Sequence, residues 1–455
     1  MNDTVFALST PVGGAIAIIR ISGANTRALL GRLFQGRAEH RRASFGRIVD
    51  EKGETVDTCT VTCFDSPHSY TGEDTAEIAL HGSLAVVRRV SELIAGTGLA
   101  RPAEPGEFTK RAYLNGKMDL AQAEAVMDLI ASSAERSRRA AAMQLEGRLS
   151  AVIGSLYART KAACAMTAAY MDDESGEMDS APEEIVSRIE GLNAEIAALI
   201  KGGMRSRVLR EGARAAIIGS PNVGKSSLLN ALLLRERAIV TDIPGTTRDT
   251  LEEPASIEGV PVVFVDTAGI RETEDEVEKI GVQRAGRELE NADIVLLVID
   301  SSRDINESDA AIIKRAAEKC GQKTLAVLTK SDLAPVVLPG ADGRFEFDNG
   351  GETISLPAVR VSAVTGEGLD ALRAAAAAMI APTESETTVT KGRHIAALER
   401  ANACLSSAAE ELYALPDAAY QNIREAMELL GSIVGRADTA EELVDEIFAS
   451  FCMGK

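Results

Sequence analysis

The sequence predicts a multidomain chain of mixed α/β and α+β class, 455 residues long, and three observations predict it. Short β-type runs alternate with helical ones up to about residue 117, the pattern of an α+β domain. No proline occurs from Asp119 to Met171, and Leu120, Ala123, Met127 and Ile130 recur at helical spacing. Residues 219–226 read Gly-Ser-Pro-Asn-Val-Gly-Lys-Ser, a P-loop pattern set between an apolar run and a helical one.

The elements follow in order. Val5–Leu8, Ala15–Ile21, Val56–Phe64 and Ala76–Leu80 read as strands, and Leu84–Ile94 as a helix, giving a domain over 1–117. Helical periodicity fills 118–210, with a second stretch, Ala181–Ile200, ending at Gly202-Gly203. Over 211–381, strands at Ala215–Gly219, Pro261–Val265, Thr324–Leu328 and Ala358–Val361 alternate with helices such as Ser226–Leu234, which implies a parallel sheet. Pro382–Lys391 is a polar linker that opens the last segment, 382–455. There Ile395, Leu398 and Ala401, then Ile423, Met427 and Leu430, return to helical spacing. These patterns fit one helical domain made of two segments, or two separate ones.

The P-loop carries defined chemistry. Gly219 and Gly224 let backbone N–H groups turn toward phosphate oxygens. Lys225 reaches the β- and γ-phosphates, and the Ser226 hydroxyl ligates Mg²⁺. Asn222, Val223 and Ser227 complete the expected nucleotide contacts. Asp266-Thr267-Ala268-Gly269 ends a strand-like run, where a carboxylate suits a water-mediated contact to Mg²⁺ and the Gly269 N–H reports on the γ-phosphate. Thr329-Lys330-Ser331-Asp332 ends another. Asp332 can accept from N1–H and the 2-amino group of guanine, donors that adenine lacks there, so a wrong base leaves a carboxylate unpaired. Ser362-Ala363 fits the last base-contacting loop. The order predicts a GTP-hydrolysing domain of Ras-like type, with Thr329 where Asn is usual. Thr241-Asp242-Ile243-Pro244-Gly245-Thr246-Thr247 has the Pro-Gly turn and hydroxyls of a switch loop. Ile270 stands where Ras-like enzymes use Gln to orient water, so another group must do that work; the acidic run 272–278 follows at once.

The net charge of −19 argues against broad non-specific nucleic-acid binding. Basic clusters exist at Arg37, Arg41, Arg42 and Arg47; at Arg136, Arg138 and Arg139; and at Arg205, Arg207, Arg210 and Arg214. Each reads more readily as a solvated helix or loop face, and a partner protein is expected to carry much of any tRNA phosphate contact. Six cysteines are scattered, and Cys59 and Cys63, four apart in a strand, share one face. Their segment lacks the further ligands of a zinc site, so buried reduced thiols are expected. No apolar run is long enough to span a bilayer, and the N-terminus lacks a basic signal region, so a cytoplasmic location is expected.

With Asp-Ile-Pro-Gly-Thr-Thr-Arg-Asp at 242–249, Asp-Thr-Ala-Gly-Ile-Arg-Glu at 266–272 and the tail Phe451-Cys452-Met453-Gly454-Lys455, the chain resembles the MnmE (TrmE) family of tRNA modification GTPases along its whole length. Residues 10–23 and 111–120 look like that family's folate-domain signatures. The resemblance implies an N-terminal folate-binding and dimerisation domain, and one discontinuous helical domain with the GTPase domain inserted. It implies K⁺ held by Asn222 and by Thr241, Ile243 and Thr246, with Thr247 as second Mg²⁺ ligand and Glu278 orienting the water. It implies a reduced folate (5,10-methylene- or 5-formyl-tetrahydrofolate) at Arg20, Glu77, Lys117 and Lys455, with Cys452 in the modification chemistry. Glu77 suits the donor–donor edge of a pterin, and Arg or Lys suits the folate glutamate tail. The implied partners are a second copy, an FAD-dependent protein in a heterotetramer, and tRNA. The implied product is a carboxymethylaminomethyl or aminomethyl group at C5 of the wobble uridine. A ribosome-assembly GTPase switch is the competing expectation; its usual RNA-binding KH module is not evident.

Overall fold

The computed structural model describes residues 3–173, 181–234, 252–265, 289, 291–348, 351, 353–383, 389–436, 441–449, 451, 452 and 454. The chain divides into two compact units. One comprises 1–127, 144–182 and 411–455, and the other 128–143 and 183–410.

The first unit is built on a sheet of β1 (Val5–Leu8), β2 (Ile16–Ser22), β3 (Phe34–Gln35), β4 (Ser44–Val49), β5 (Thr55–Phe64), β6 (Thr75–His81) and β7 (Arg101–Pro102). Their order is β3-β4-β5-β6-β2-β1-β7. Strand alternation decides its faces. Ile19, Ile21, Cys59, Val61, Cys63, Ala76, Ile78 and Leu80 point to one side and are buried under helices Thr26–Leu33 and Leu84–Gly96. Each large side chain so buried contributes about 1.5–3 kcal/mol. The paired Cys59 and Cys63 are among these buried groups, and burial pushes the Cys59 thiol up to about 12. Helix Glu107–Leu114 carries Phe108 into a cluster with Val5, Ala103, Ala7 and Tyr70. Helices Arg148–Met171 and Pro416–Val434 pack along each other in the same unit.

The second unit holds the other sheet: β8 (Ala213–Ile218), β9 (Glu252–Ile257), β10 (Val260–Val265), β11 (Ile294–Asp300), β12 (Thr324–Thr329), β13 (Arg344–Asp348) and β14 (Thr353–Arg360). The order is β13-β14-β12-β11-β8-β10-β9. The inner strands run parallel, and β9 and β13 close the edges antiparallel. Val295 to Ile299 are buried on both faces, as a covered parallel strand requires. The fold class is the expected one: a mixed α/β chain with a parallel-sheet P-loop domain and helical segments.

Two local readings need correction. The helix from Ala181 does not stop at Gly202-Gly203 but runs to Ser206. A Cβ at Gly203 would lie 3.1 Å from Ile395 and 3.2 Å from Val389, so this glycine serves close packing and not termination. The strand expected at Ala358–Val361 begins at Thr353 and pairs with an unforeseen strand, β13. Among the described residues, no helix is long and apolar enough to cross a membrane.

Candidate functional site

Ligand sites in open parallel sheets form beyond the carboxyl ends of the strands, and the P-loop leaves the carboxyl end of β8. Gly219 has φ +155, and a Cβ there would lie 2.4 Å from the Val298 carbonyl, so only glycine lets the chain turn off the strand. Asn222 adopts a left-handed conformation, φ +61, within the turn. Such a residue costs of order 1–3 kcal/mol and recurs at ligand clamps. Lys225 opens helix Lys225–Leu234, and its Nζ donates to the Gly219 and Ser220 carbonyls, both at 2.7 Å. The ammonium is therefore held over the loop's own hollow. Ser226 and Ser227 follow, exposed, in the first helical turn, and Val223 is buried. This turn, lysine and helix start fit a polyphosphate, with the Ser226 and Ser227 hydroxyls beside it.

Next to the loop, Thr329 ends β12. Its hydroxyl lies 2.6 Å from the Val223 carbonyl and 3.1 Å from the Ile299 carbonyl. One hydrogen serves one acceptor fully, and the shorter contact goes to the P-loop. Lys330, left-handed at φ +58, sends its ammonium to Asp300 at 2.5 Å. Burial pushes Asp300 up, but Lys330 and the Ser302 hydroxyl and N–H outweigh it and hold the carboxyl below its ordinary value. Asp332 is exposed, and its Oδ1 accepts from the buried Ser362 hydroxyl at 2.6 Å. The Ser362 oxygen also accepts from the N–H of Val364 and Thr365. Ala363 is half-buried beside it. The carboxylate so aimed presents an acceptor edge to solvent. The sequence reading missed both the Thr329 tie and the Ser362 brace; the side-chain chemistry was visible, but not the proximity of the three strand ends.

Thr241, Asp242, Ile243, Pro244, Gly245, Thr246 and Thr247 lie outside the described residues, as do Asp266, Thr267, Ala268, Gly269, Glu278 and Lys455.

A second constellation sits in the first unit. Arg20 and Glu77 face each other across β2 and β6, and Arg20 donates from Nη2 and Nε to Glu77 Oε1 at 2.8 and 3.1 Å. The guanidinium lies 5.5 Å from the Tyr70 ring centroid and 5.7 Å from that of Phe108. Both bonds fall on one carboxylate oxygen, and Glu77 stays partly exposed, so the other oxygen is available to accept from a ligand donor. Lys117 is exposed and donates to the Pro67 carbonyl at 3.0 Å. The tail comes to the same unit's sheet. Cys452 is an exposed free thiol whose carbonyl accepts from Gly106 N–H at 3.4 Å. The Gly454 carbonyl accepts from the Ser9 hydroxyl at 3.0 Å. Gly454 has φ +89, and a Cβ there would lie 2.2 Å from the Leu8 carbonyl. Arg20 and Glu77 thus touch; Lys117 attaches to the loop that carries Tyr70; Cys452 lies beside the start of the helix that carries Phe108.

Arg111, within the signature 111–120, has a different place. It is 1% exposed and bonds Glu107, Glu73 and Asp3. Glu107 also takes two bonds from Arg101. The spacing of Glu107 and Arg111, one helical turn, was the available signal for this ion cluster.

Residues 4–117 match the family described as GTP-binding protein TrmE N-terminus, and residues 120–452 match the MnmE helical domain family. A tRNA modification GTPase MnmE from Natranaerobius thermophilus is 41% identical over 469 residues, covering 100% of both chains. One from Thermus thermophilus is 43% identical over 463 residues, covering 100% of this chain and 99% of that protein. Among solved structures, the G domain of the T. maritima FeoB iron transporter is 28% identical and covers 37% of this chain and 98% of its own, with a TM-score of 0.25.

Proposed function

The chain belongs to the MnmE family of tRNA modification GTPases and is a GTP hydrolase, and from that premise we propose that it couples hydrolysis to modification of the wobble uridine of tRNA at C5. In this reading Lys225 and the P-loop amides hold the phosphates, Ser226 and Thr247 ligate Mg²⁺, and Asp332 reads guanine. Asn222, with Thr241, Ile243 and Thr246, holds K⁺, whose charge offsets that developing on the phosphates. Glu278 orients the attacking water. Two copies and an FAD-dependent protein form the working assembly, in the cytoplasm.

Arg20, Glu77, Lys117 and Lys455 hold the reduced folate. When bound, that group supplies the one-carbon unit for the uridine. Glu77 orients the pterin edge, Arg20 fixes Glu77, and Tyr70 and Phe108 fix Arg20. The observation that favours this reading over a ribosome-assembly switch is the Arg20–Glu77 pair, in which Arg20 engages a single oxygen of a partly exposed carboxylate, on a sheet that the Cys452 segment also reaches. Calorimetric titration with 5-formyl-tetrahydrofolate tests it directly. The chain should bind the folate and Glu77→Ala should not, while GTP binding persists in both. Loss of modified wobble uridine in tRNA from a strain lacking this chain is the second expectation; normal nucleosides there would leave the switch reading standing.

A further inference from the structure

Three basic clusters stand out in an otherwise acidic chain, and the structure gives two of them intramolecular work. Arg136 donates to the Glu258 carbonyl, and Arg138 pairs with Glu135. Arg207 pairs with Glu211 and Asp293, and Arg210 with Asp128. The remaining cluster, at β3 and β4, is different. The Arg37 and Arg42 side chains are 90% and 75% exposed, and both meet a single carboxylate, Glu39. Arg41 and Arg47 are exposed too and, among the described residues, their side chains engage only the His68 carbonyl and the Gln35 amide, each at 3.4 Å. Between them Phe45 is 77% exposed.

The register explains the geometry. Phe45 and Arg47 point to the same side of β4, away from the core. Phe45 ends a cross-strand row, Ile18, Ala79, Thr60, Phe45, on the face opposite the buried cysteines. Gly36 approaches the Phe45 carbonyl, which brings Arg37 alongside. Phe45 and Arg47 thus share one exposed face of β4, with the exposed Arg37, Arg41 and Arg42 in the segment that joins β3 to β4.

We propose that this face binds RNA, with a base stacked on Phe45 and phosphates on Arg37, Arg41, Arg42 and Arg47. The proposal rests on the reading of the chain as acting on tRNA, and it assigns the surface that makes the contact. Exposed ion pairs such as those to Glu39 are weak and exchange readily for phosphate. Stacking on an aromatic ring is the common sequence-tolerant mode of strand binding. A second copy is a poorer occupant, because a twofold contact centred on Phe45 would bring the arginines of both copies together.

The test uses the full chain and a tRNA transcript with an unmodified wobble uridine, followed by fluorescence anisotropy across a salt series. Phe45→Leu, which keeps an apolar side chain but no ring, should weaken binding about 5- to 150-fold. The triple change Arg37→Gln, Arg42→Gln and Arg47→Gln should lower the salt slope by about 2–3. GTP hydrolysis and sedimentation should match wild type, showing intact folds. If wild type binds and both variants bind identically with the same slope, the surface is wrong while the tRNA reading stands. If Phe45→Leu alters sedimentation alone, the face belongs to a second copy and the proposal fails. If wild type binds no transcript, the tRNA reading of this chain falls and takes the surface with it.

Discussion

Thr329 at the end of β12 gives its hydroxyl hydrogen to the Val223 carbonyl, 2.6 Å away, tying the strand that leads to Asp332 to the P-loop. Thr329 is buried, so Thr329→Val would leave that carbonyl without its donor at nearly unchanged shape. The cost is about 1–3 kcal/mol, appearing as roughly tenfold weaker GTP binding in calorimetry. Thr329→Ser should restore it. Wild-type affinity in the valine variant would show that the tie does not set the loop.

Asp332 presents its carboxylate beside Ser362. Asp332→Asn offers a donor in place of an acceptor and should favour xanthine, whose 2-oxo group accepts. Competition between GTP and XTP measures the shift. An unchanged preference would remove residues 329–332 from base reading.

Hydrolysis should depend on K⁺ and on Glu278. Exchanging Na⁺ for K⁺ at fixed ionic strength should raise kcat, with Asn222→Ala losing the difference. Glu278→Ala should lower kcat by roughly 10²–10⁴ while GTP affinity holds. Equal rates in both salts would exclude the cation, and normal hydrolysis without Glu278 would move its role to another carboxylate of the 272–276 run.

Cys452 should matter for tRNA modification and not for GTP hydrolysis. It is an exposed thiol in the unit that lacks the P-loop. Cys452→Ser, assayed for both activities on one preparation, should keep the GTPase rate and lose modified wobble uridine. Intact modification would make Cys452 a packing residue only.

The Glu107 cluster predicts an acid dependence of stability. Burial pushes Glu107 up, but its bonds from Arg101, the Glu104 N–H and Arg111 hold the carboxyl below its ordinary 4.5. A carboxyl lowered by folding stabilises fully above its unfolded value, and that contribution drains as pH falls through the folded one. Urea midpoints should therefore drop below about pH 4.5, more steeply in wild type than in Glu107→Gln. At neutral pH that variant leaves Arg111 under-compensated and should lose about 3–5 kcal/mol. Parallel curves for the two proteins would show that Glu107 is not the group responsible.

The readings that succeeded were local. The P-loop's residue types sit within eight positions, and alternation along β5 placed Cys59 and Cys63 inward because one covered face forces period two. What failed depended on distant partners. Gly202-Gly203 looks like a stop until Ile395 and Val389 are known to press on Gly203. The ion cluster around Arg111 was hidden for the same reason, since Asp3 and Glu73 reach it from distant segments. β13 was invisible because a five-residue strand at a sheet edge has little pattern of its own, and part of what fixes it is the Arg344 contact to Ser355. In the nucleotide site the residue types were legible and their mutual braces were not.

The bond from Ser9 to Gly454 spans 445 positions of chain. A ribosome makes β1 early and the segment that seats against it very late. The strip beside Leu8 therefore stays bare until residue 454 has been made, because the contact that covers it is not local. A chain cut before residue 448 carries the sequence of β1 to β7 and the P-loop but no Phe448 or Phe451 beside Gly106. Deleting residues 448–454 would therefore uncover Gly106 and Leu8 while leaving residues 219–226 untouched.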